Sequence, residues 1–406
     1  MEVKPGYKQI EVGVIPEDWE VKPLSALGQF KNGINKSSEA FGHGSPFVNL
    51  MDVFGVSRIT SGDAFGLVET TKAEQKTYDL KRGDVLFIRS SVKPSGVGLT
   101  AVVEVDLPKT VYSGFLLRFR DNDALDIGFK RHCFYSEKFR SKLIGASSVS
   151  ANTNINQDNL KKLLLVLPST EAEQRAIATA LSDVDELLGG LDRLIAKKRD
   201  LKQAAMQQLL TSQTRLPGFH GEWEVKRLGT LLQFQVGFPF SSAFFNEKGE
   251  GIRLVKNRDL KSDDQVFHYN GMYEEAFVIR DGDVLIGMDG DFLPCQWNKG
   301  PALLNQRVGR VVPNTGLNVA FAFYALIEPL KEIEIVTSCT TVKHLSHGDV
   351  EGIERPLPPL PEQTAIASVL TEMDGELAVL TQRREKTRTL KQAMMQELLT
   401  GKTRLI

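Results

Sequence analysis

The chain has 406 residues, of which 41% are hydrophobic and 25% charged, a composition typical of globular proteins with two to four domains. It contains no apolar run near the roughly 20 residues that cross a bilayer, and its first residues lack the apolar core of a signal peptide, so we expect a cytoplasmic protein. The net charge is −1 and no segment is strongly basic, so DNA binding would require local clusters or partner chains that share the phosphate contacts.

The first region, residues 1–168, is predicted to be an α+β domain. Short β-rich runs such as residues 84–88 alternate with Gly, Pro, Asn and Asp, and a helical stretch follows around residues 128–143. Polar residues cluster around the loop signals after these strands. Because Arg and Lys can bind guanine or phosphate, and Asn can bind adenine, these residues are candidates for groove reading. The predicted DNA-binding set of this region is Lys31, Asn32, Lys36, Arg58, Arg89, Ser90, Ser91 and Lys93.

Residues 169–216 are predicted to form one long helix. Its apolar residues step by four and three, a heptad seam that another helix must cover. Thr170 and Glu173 fit a capping box at the start. Gly189 and Gly190 lie inside the helix and together cost about 2 kcal/mol relative to alanine, so packing must outweigh them. The seam consists of Ile177, Leu181, Val184, Leu188, Leu191 and Ile195.

The second half of the chain repeats the plan of the first. Residues 174–216 match residues 363–405 at a constant offset of 189, with 22 of 43 positions identical. Upstream the match is weaker but keeps its order, since WEVKPLSALGQFKNG from Trp19 pairs with WEVKRLGTLLQFQVG from Trp223. A duplicated unit is the economical explanation.

Residues 217–358 are therefore predicted to be a second α+β domain, with a helical stretch around residues 319–331, and residues 359–406 a second long helix. Pro361 suits the start of this helix and Gly401 its end. The candidate DNA-binding residues are Lys256, Asn257, Arg258, Met288, Asp289, Gly290, Gln306 and Arg307. The second seam consists of Ile366, Leu370, Met373, Leu377 and Leu380.

We expect the two long helices to pair with each other as an antiparallel coiled coil, because a helix of about 40 residues has no small core to lie in. The two globular domains would then lie at opposite ends, related by a pseudo-two-fold axis. The predicted fold is thus α+β, with two globular domains separated by two long helices.

Catalytic and metal-binding alternatives have weaker support. His344 and His347 stand three residues apart, as metal ligands on a helix do, but no third ligand is visible. Asp289 and Asp291 would suit a metal-dependent nuclease, yet the Glu-x-Lys partner is missing nearby and Asp-Gly is first a turn signal. The cysteines support neither a disulfide framework nor a thiolate zinc site, because Cys133, Cys295 and Cys339 form no CxxC pair.

The whole chain resembles the specificity subunits of type I restriction-modification systems. The resemblance is carried by IPEDWEVKPLSALGQFKNG near the start, by PLPPLPEQTAIASVL before the second helix, by the twin LKQAxMQxLLTxxTRL endings, and by GDVLIGMDGDFLPCQWNKGPALLNQRVGRV from Gly282. The first helix departs from the family pattern, because it begins PSTEAEQ where PLPEQ is more usual.

The resemblance implies a protein without catalytic residues or metal sites. Its two target-recognition domains would each read one half of a split DNA site, and its helices would dock two modification subunits and, through them, the restriction subunits. S-adenosylmethionine, ATP and Mg would be bound by those partners, and none by this chain. Because the two variable regions differ, we expect an asymmetric target, with a spacer set by the rigid helix pair. An interaction scaffold of a defence complex without DNA readout is the alternative.

Overall fold

The computed structural model describes residues 4–11, 13–61, 63–337 and 343–405, and the chain divides into two compact units. Unit 1 consists of residues 1–192 and 382–406, and unit 2 consists of residues 193–381. Each unit therefore contains one α+β region and half of each long helix. Cys133 and Cys295 are free thiols, and Cys339 lies outside the described residues. Within the described ranges, no helix has the length and hydropathy needed to span a membrane.

Unit 1 contains the first fifteen strands and the start of the first long helix. The strands are β1 (Tyr7–Ile10), β2 (Gly13–Pro16), β3 (Glu20–Pro23), β4 (Gly28–Asn32), β5 (Phe41–Val48), β6 (Arg58–Ile59), β7 (Gly66–Val68), β8 (Val85–Ile88), β9 (Ser90–Ser91), β10 (Thr100–Val103), β11 (Val111–Tyr112), β12 (Leu116–Asp121), β13 (Ser148–Val149), β14 (Thr153–Asn154) and β15 (Leu164–Leu167). The helices are α1 (Leu24–Leu27), α2 (Leu50–Val53), α3 (Lys72–Thr77), α4 (Ile127–Cys133), α5 (Glu137–Gly145), α6 (Gln157–Lys162) and α7 (Glu171–Leu209), the last of which continues into unit 2.

Unit 2 contains the remaining strands and most of the second long helix. The strands are β16 (Glu224–Arg227), β17 (Leu232–Val236), β18 (Phe245–Asn246), β19 (Ile252–Val255), β20 (Phe267–Tyr269), β21 (Val278–Ile279), β22 (Val284–Gly287), β23 (Pro294–Gln296), β24 (Ala302–Leu304), β25 (Val308–Pro313) and β26 (Glu354–Leu357). The helices are α8 (Val319–Ala325), α9 (Ile327–Thr337), α10 (His347–Glu351) and α11 (Leu360–Leu398), the last of which continues into unit 1.

The two units share a sheet plan. In unit 1 a five-stranded sheet has the order β4-β12-β8-β10-β6, and in unit 2 the strands β17-β25-β22 begin a four-stranded sheet that ends with β23. A two-stranded ladder lies next to the long helices in the sequence of both units, formed by β15 with β3 and by β16 with β26. The repeat found in the sequence is therefore a repeat of structure.

In unit 1 the start of α7 is part of the globular core. Ile177 and Leu181 are buried together with Phe129 of α4 and with Leu398, the last residue of α11. Both long helices therefore contribute apolar side chains to one core. The start of α7 and the end of α11 each pack against several elements of unit 1 and not only against each other.

Unit 2 has the mirrored arrangement of helix ends. Ile366 and Leu370 near the start of α11 are buried with Phe321 of α8 and with Leu209 at the end of α7. The core of unit 1 thus contains the start of α7 and the end of α11, and the core of unit 2 contains the start of α11 and the end of α7.

Ion pairs fix the direction of the long helices in unit 1. Lys391 Nζ lies 2.5 Å from Asp185 Oδ1. Arg384 Nε lies 2.5 Å from Asp192 Oδ1. Residue numbers therefore rise along α7 as they fall along α11, so the helices pack antiparallel.

The same direction holds in unit 2. Lys202 Nζ lies 2.5 Å from Asp374 Oδ1, and Lys198 Nζ lies 2.5 Å from Glu376 Oε2. The Lys202 pair is the equivalent, at the offset of 189, of the Lys391 pair in unit 1. The predicted α+β fold with two long antiparallel helices is confirmed.

A buried carboxylate joins the start of α7 to the rest of unit 1. Glu173 accepts hydrogen bonds from Trp19 Nε1 at 3.1 Å and from Arg404 Nε at 2.8 Å. The predicted capping box is therefore only half formed: the backbone N–H of Glu173 donates to Thr170 Oγ1 at 3.3 Å, but the carboxylate is occupied by Trp19 and Arg404.

Unit 2 repeats this arrangement at the start of α11. Glu362 accepts hydrogen bonds from Trp223 Nε1 at 3.2 Å and from Arg215 Nε at 2.5 Å. The three residues occupy equivalent places in the sequence repeat. Each unit therefore contains the same hydrogen-bonded set of one Trp, one Glu and one Arg.

Candidate nucleic-acid interface

In unit 1 the ends of three strands meet at one edge of the five-stranded sheet. β12 runs antiparallel to both β4 and β8, and its first residues, Leu116 and Leu117, lie opposite Ile88 and Asn32. The loops that follow β4 and β8 therefore come together beside the loop that precedes β12. This surface, the unit-1 edge, consists of residues 32–36, 49–51, 89–92, 113–115 and 153–154.

Backbone hydrogen bonds fix the loops of the unit-1 edge. Arg89 N–H donates to Phe115 O at 2.9 Å, and Ile155 N–H donates to Arg89 O at 2.9 Å. Ser113 N–H donates to Val48 O at 2.9 Å. Side chains in these loops are thus carried by a backbone that the sheet holds in place.

Unit 2 builds the same edge with the same bonds. Met288 N–H donates to Arg307 O at 3.0 Å, and Leu345 N–H donates to Met288 O at 2.8 Å. Asn305 N–H donates to Val255 O at 3.3 Å. The unit-2 edge consists of residues 236–238, 256–258, 288–290, 305–307 and 343–344.

The matching bonds and strand registers assign seven residues of one edge to counterparts in the other. At these positions the backbone is conserved between the units and the side chain is not. The pairs are Ile34 and Phe238, Asn49 and Lys256, Met51 and Arg258, Ser90 and Asp289, Gly114 and Gln306, Phe115 and Arg307, and Asn154 and His344.

The structure places most of the predicted unit-1 residues in or beside the edge. Lys31 lies in β4 with Nζ 5.5 Å from the centre of the Tyr78 ring, and Lys93 is exposed at the start of a 3₁₀ turn after β9. Within the edge lie Asn32, Lys36, Arg89, Ser90 and Ser91.

Two of the predicted unit-1 residues differ from the others, Arg58 in its position and Lys36 in its contacts. Arg58 is exposed at the start of β6, and β10 separates that strand from β8. Lys36 Nζ forms an ion pair with Glu74 at 2.7 Å, which lowers the pKa of the Glu74 carboxyl. Arg58 therefore lies outside the unit-1 edge, whereas Lys36 lies within the edge and is paired with Glu74.

All of the predicted unit-2 residues lie in the unit-2 edge, but not all of them face outward. The Met288 side chain is 4% exposed and belongs to the hydrophobic core, so the structure does not support its role in DNA binding. Asn257 Nδ2 donates to Asp289 O at 2.6 Å, which fixes the loop. Gly290, Gln306 and Arg307 are exposed.

The cations of the unit-2 edge include a partly desolvated lysine. Lys256 Nζ lies 3.1 Å from the centre of the Phe267 ring, and burial together with the neighbouring Arg258 lowers the pKa of Lys256. Arg258 itself is exposed and donates to Gln265 at 2.8 Å.

A charged cluster is the most polar feature of the unit-2 edge. Asp289 Oδ1 lies 3.0 Å from His344 Nδ1 and 3.3 Å from Arg307 Nη1. The exposed fractions of these side chains are 38% for Asp289, 43% for His344 and 56% for Arg307. The cluster thus faces solvent and presents donors and acceptors side by side.

Sequence reasoning missed several residues of the two edges. Asn49, Met51, Phe115 and Asn154 were not predicted, and His344 was considered only as a metal ligand. For Asn49 and Met51 a signal existed, because VNLMD from Val48 matches VKNRD of the second half. Asn154 and His344 carry no such signal, since their places follow from strand pairing distant in sequence.

The alternative sites do not assemble a metal centre in the part of the chain that the structure describes. There, no group of three or more His, Cys, Asp or Glu side chains is placed to hold a metal ion. Asp291 forms an ion pair with Lys261, and Asp289 faces Arg307, so the two carboxylates each contact a cation of their own. His347 begins α10.

The predicted seam residues of the long helices all face inward to some degree. Ile177, Leu181, Ile366 and Leu370 join the cores of the units instead of packing on the opposite helix alone. The buried residues are Ile177, Leu181, Leu191, Ile195, Ile366 and Leu370, and the half-buried ones are Val184, Leu188, Met373, Leu377 and Leu380.

Comparisons with known proteins agree with this organisation. A family model for the type I restriction modification DNA specificity domain matches residues 16–196 and again residues 220–387. The putative type I restriction enzyme MjaX specificity subunit of Methanocaldococcus jannaschii is 28% identical over 425 residues, which cover 98% of this chain and 97% of that protein. The type I restriction enzyme EcoBI specificity subunit of Escherichia coli is 34% identical over 192 residues, which cover 46% of this chain and 40% of that protein.

Solved structures show a similar fold. The type I restriction-modification S subunit from M. genitalium has a TM-score of 0.62 at 16% identity, with 98% of each chain covered. A chain from a structural study of complex assembly and conformational transition of the type I R-M system has a TM-score of 0.58 at 18% identity, with 96% of this chain and 99% of that chain covered.

The repeated edge, the repeated helix and the two family matches define a DNA-specificity protein with two recognition domains. The chain belongs to the family of type I restriction-modification DNA specificity proteins, and it is a specificity subunit of such a system.

Proposed function

We propose that the unit-1 edge and the unit-2 edge each read one half of a split, asymmetric DNA target. One observation carries this proposal: matched backbone hydrogen bonds build the same edge twice, while the side chains at equivalent positions differ. Direct readout of DNA needs both features, because the shared backbone holds the side chains at fixed positions and the differing side chains select the bases. Two unlike edges then recognise two unlike half-sites.

The long helices are, in this proposal, the docking surface for two modification subunits, through which the restriction subunits join. Exposed apolar side chains along both helices support this role, because apolar surface that solvent would otherwise cover is a common feature of interaction sites. Partners around the duplex would also supply the phosphate contacts that a chain with net charge −1 lacks. The exposed large apolar residues of the two helices are Leu187, Leu194, Leu201, Leu360, Val379 and Leu390.

The chemistry belongs to the partners in this proposal. S-adenosylmethionine on the modification subunits supplies the methyl group for the exocyclic amine of adenine, and ATP and Mg serve the restriction subunits. This chain contributes no catalytic residue and binds no cofactor, and it acts on DNA in the cytoplasm. That the rigid helix pair sets the spacer between the half-sites stays a prediction of the sequence.

Methylome sequencing tests the proposal directly. The chain is co-expressed with the modification subunit of its own system in a host without other adenine methyltransferases, and methylated adenines are mapped by single-molecule sequencing. We expect one bipartite motif with two unlike halves. The control is the same host with the modification subunit alone. A palindromic motif, or no motif above the control, contradicts the proposal and favours a scaffold without DNA readout.

A further inference from the structure

At three equivalent positions, one edge carries ionisable side chains and the other carries side chains that do not ionise. In unit 2 they are Asp289, Arg307 and His344, which form the charged cluster described above. In unit 1 the equivalent residues are uncharged: Ser90, Phe115 and Asn154. The equivalence rests on backbone bonds, so the two sets stand at the same place on the same scaffold.

The unit-2 set matches the major-groove face of a G·C pair. Guanine presents two acceptors, O6 and N7, which suit the donor fork of Arg307, and cytosine presents an amino donor, which suits the Asp289 carboxylate. An A·T pair would set the thymine O4 acceptor against that carboxylate, and two acceptors without a shared proton repel. The cluster therefore both favours one pair and disfavours the other.

The geometry of the cluster prepares Arg307 for this contact. Asp289 Oδ1 accepts from Arg307 Nη1 at 3.3 Å, and His344 lies against the same carboxylate oxygen. A guanidinium that a neighbour already holds loses less side-chain freedom when it binds a base. Exposed ion pairs contribute little to stability, so folding alone gives little reason for this arrangement.

The unit-1 set matches an A·T pair. Asn side chains bind the N6 and N7 edge of adenine, and Phe makes apolar contact with the thymine methyl group. Phe115 is 57% exposed, and Met51 and Val92 of the same edge are 72% and 81% exposed, so this edge leaves several large apolar side chains open to solvent. Asn154 pairs with Ser90 across β14 and β9, and its Nδ2 donates one hydrogen bond to Asn152 O at 3.0 Å, which holds the amide and leaves its second N–H and its oxygen for a base.

We infer that this one position of the edge reads a G·C pair through Arg307 and Asp289 in unit 2, and an A·T pair through Asn154 and Phe115 in unit 1. The inference rests on the proposed function, since it names residues for readout at those same edges.

Single substitutions measure the contribution of the cluster. The wild-type complex and an Arg307→Ala complex methylate a pool of duplexes in which both half-sites are randomised. We expect Arg307→Ala to lose discrimination for G·C at one position of the unit-2 half-site by on the order of 10- to 100-fold. The matched control is Arg280→Ala, which removes an arginine that is also paired with a carboxylate but lies before β22, at the other end of that strand. The control should keep the wild-type preference.

A transplant separates base reading from a general loss of affinity. The triple variant Asp289→Ser, Arg307→Phe and His344→Asn gives unit 2 the unit-1 set at exposed positions. We expect the same base pair of the unit-2 half-site to change from G·C to A·T, with the other half-site unaltered. The inference is overturned if the wild-type unit-2 half-site contains no G·C pair, or if both variants keep the wild-type preference. A wild-type complex that selects no bipartite motif refutes the proposed function itself, and the inference with it.

Discussion

Each long helix begins near a carboxylate that is almost fully buried, Glu173 in unit 1 and Glu362 in unit 2. A buried charge is stable only when it is paired and hydrogen-bonded. The partner arginines, Arg404 and Arg215, lie after the ends of the opposite long helices, and the hydrogen bonds that they donate to these carboxylates raise the pKa of both guanidinium groups. In unit 1, Arg404 thus neutralises a carboxylate that is buried at the start of the opposite long helix.

Arg404→Ala should destabilise unit 1 more than an ordinary surface substitution does. Removal of the guanidinium leaves Glu173 buried, with Trp19 as its remaining side-chain donor among the residues that the structure describes, and loss of one partner of a buried pair costs about 3 kcal/mol. Urea unfolding of the purified chain measures the change. Addition of Glu173→Gln should recover part of the loss, because the amide oxygen still accepts from Trp19 and carries no charge. Equal stability of the Arg404 variant and the wild type would show that the pair is not needed.

A buried histidine makes unit 1 sensitive to acid. His132 is 4% exposed, and burial lowers its pKa to about 4. In the unfolded chain the pKa of His132 is near the ordinary 6.5, so below that pH the unfolded state binds a proton that the folded state does not. The free energy of unfolding therefore falls as the pH drops from about 6.5 to 4. The loss is on the order of 3 kcal/mol.

His132→Gln removes this titration. Urea midpoints at pH 7 and pH 4.5 should differ less for the variant than for the wild type. The control is His347→Gln, which replaces an exposed histidine of unit 2 and should keep the wild-type pH dependence. An unchanged pH dependence in the His132 variant would assign the acid sensitivity to other groups.

At the scale of elements, the long helices are stabilised more by packing than by intrinsic propensity. Their ends join the cores of both units, whereas Gly189, Gly190 and Gly375 occupy helix interiors, where glycine is unfavourable. A Cβ added at Gly190 or Gly375 would meet no atom within 4 Å. Gly190 and Gly375 are therefore not required by close contacts inside the chain.

Gly190→Ala should stabilise α7. Alanine is favoured over glycine inside a helix by about 1 kcal/mol, and the space beside Gly190 is open. A rise in melting temperature and a higher urea midpoint would report the gain. The contrasting variant is Gly33→Ala, whose Cβ would lie 2.1 Å from Ser113 O, and which should destabilise unit 1. A lower melting temperature for Gly190→Ala would mean that the glycine serves a local bend.

At the scale of the whole molecule, the sequence predicted the duplicated plan because the repeat and the heptad spacing are local signals. Ile177 and Ile366 were predicted to lie on a helix seam; the structure buries both, but in the unit cores, through contacts distant in the chain. The same reason hid Asn154 and His344, which reach their edges only through pairing with Ser90 and Asp289. Periodicity reports which face of an element is buried and not which partner covers it.

The division into two edges makes each half of the target exchangeable. The unit-2 edge lies entirely within residues 217–358, and the unit-1 edge lies entirely within residues 1–168. Replacement of residues 217–358 by those of another family member should therefore change one half of the methylated motif and leave the other half as it was. The methylome of a host that expresses the chimera with its modification subunit measures both halves at once. Replacement of residues 1–168 is the reciprocal control, and a change in both halves from either exchange would show that the edges do not read DNA independently.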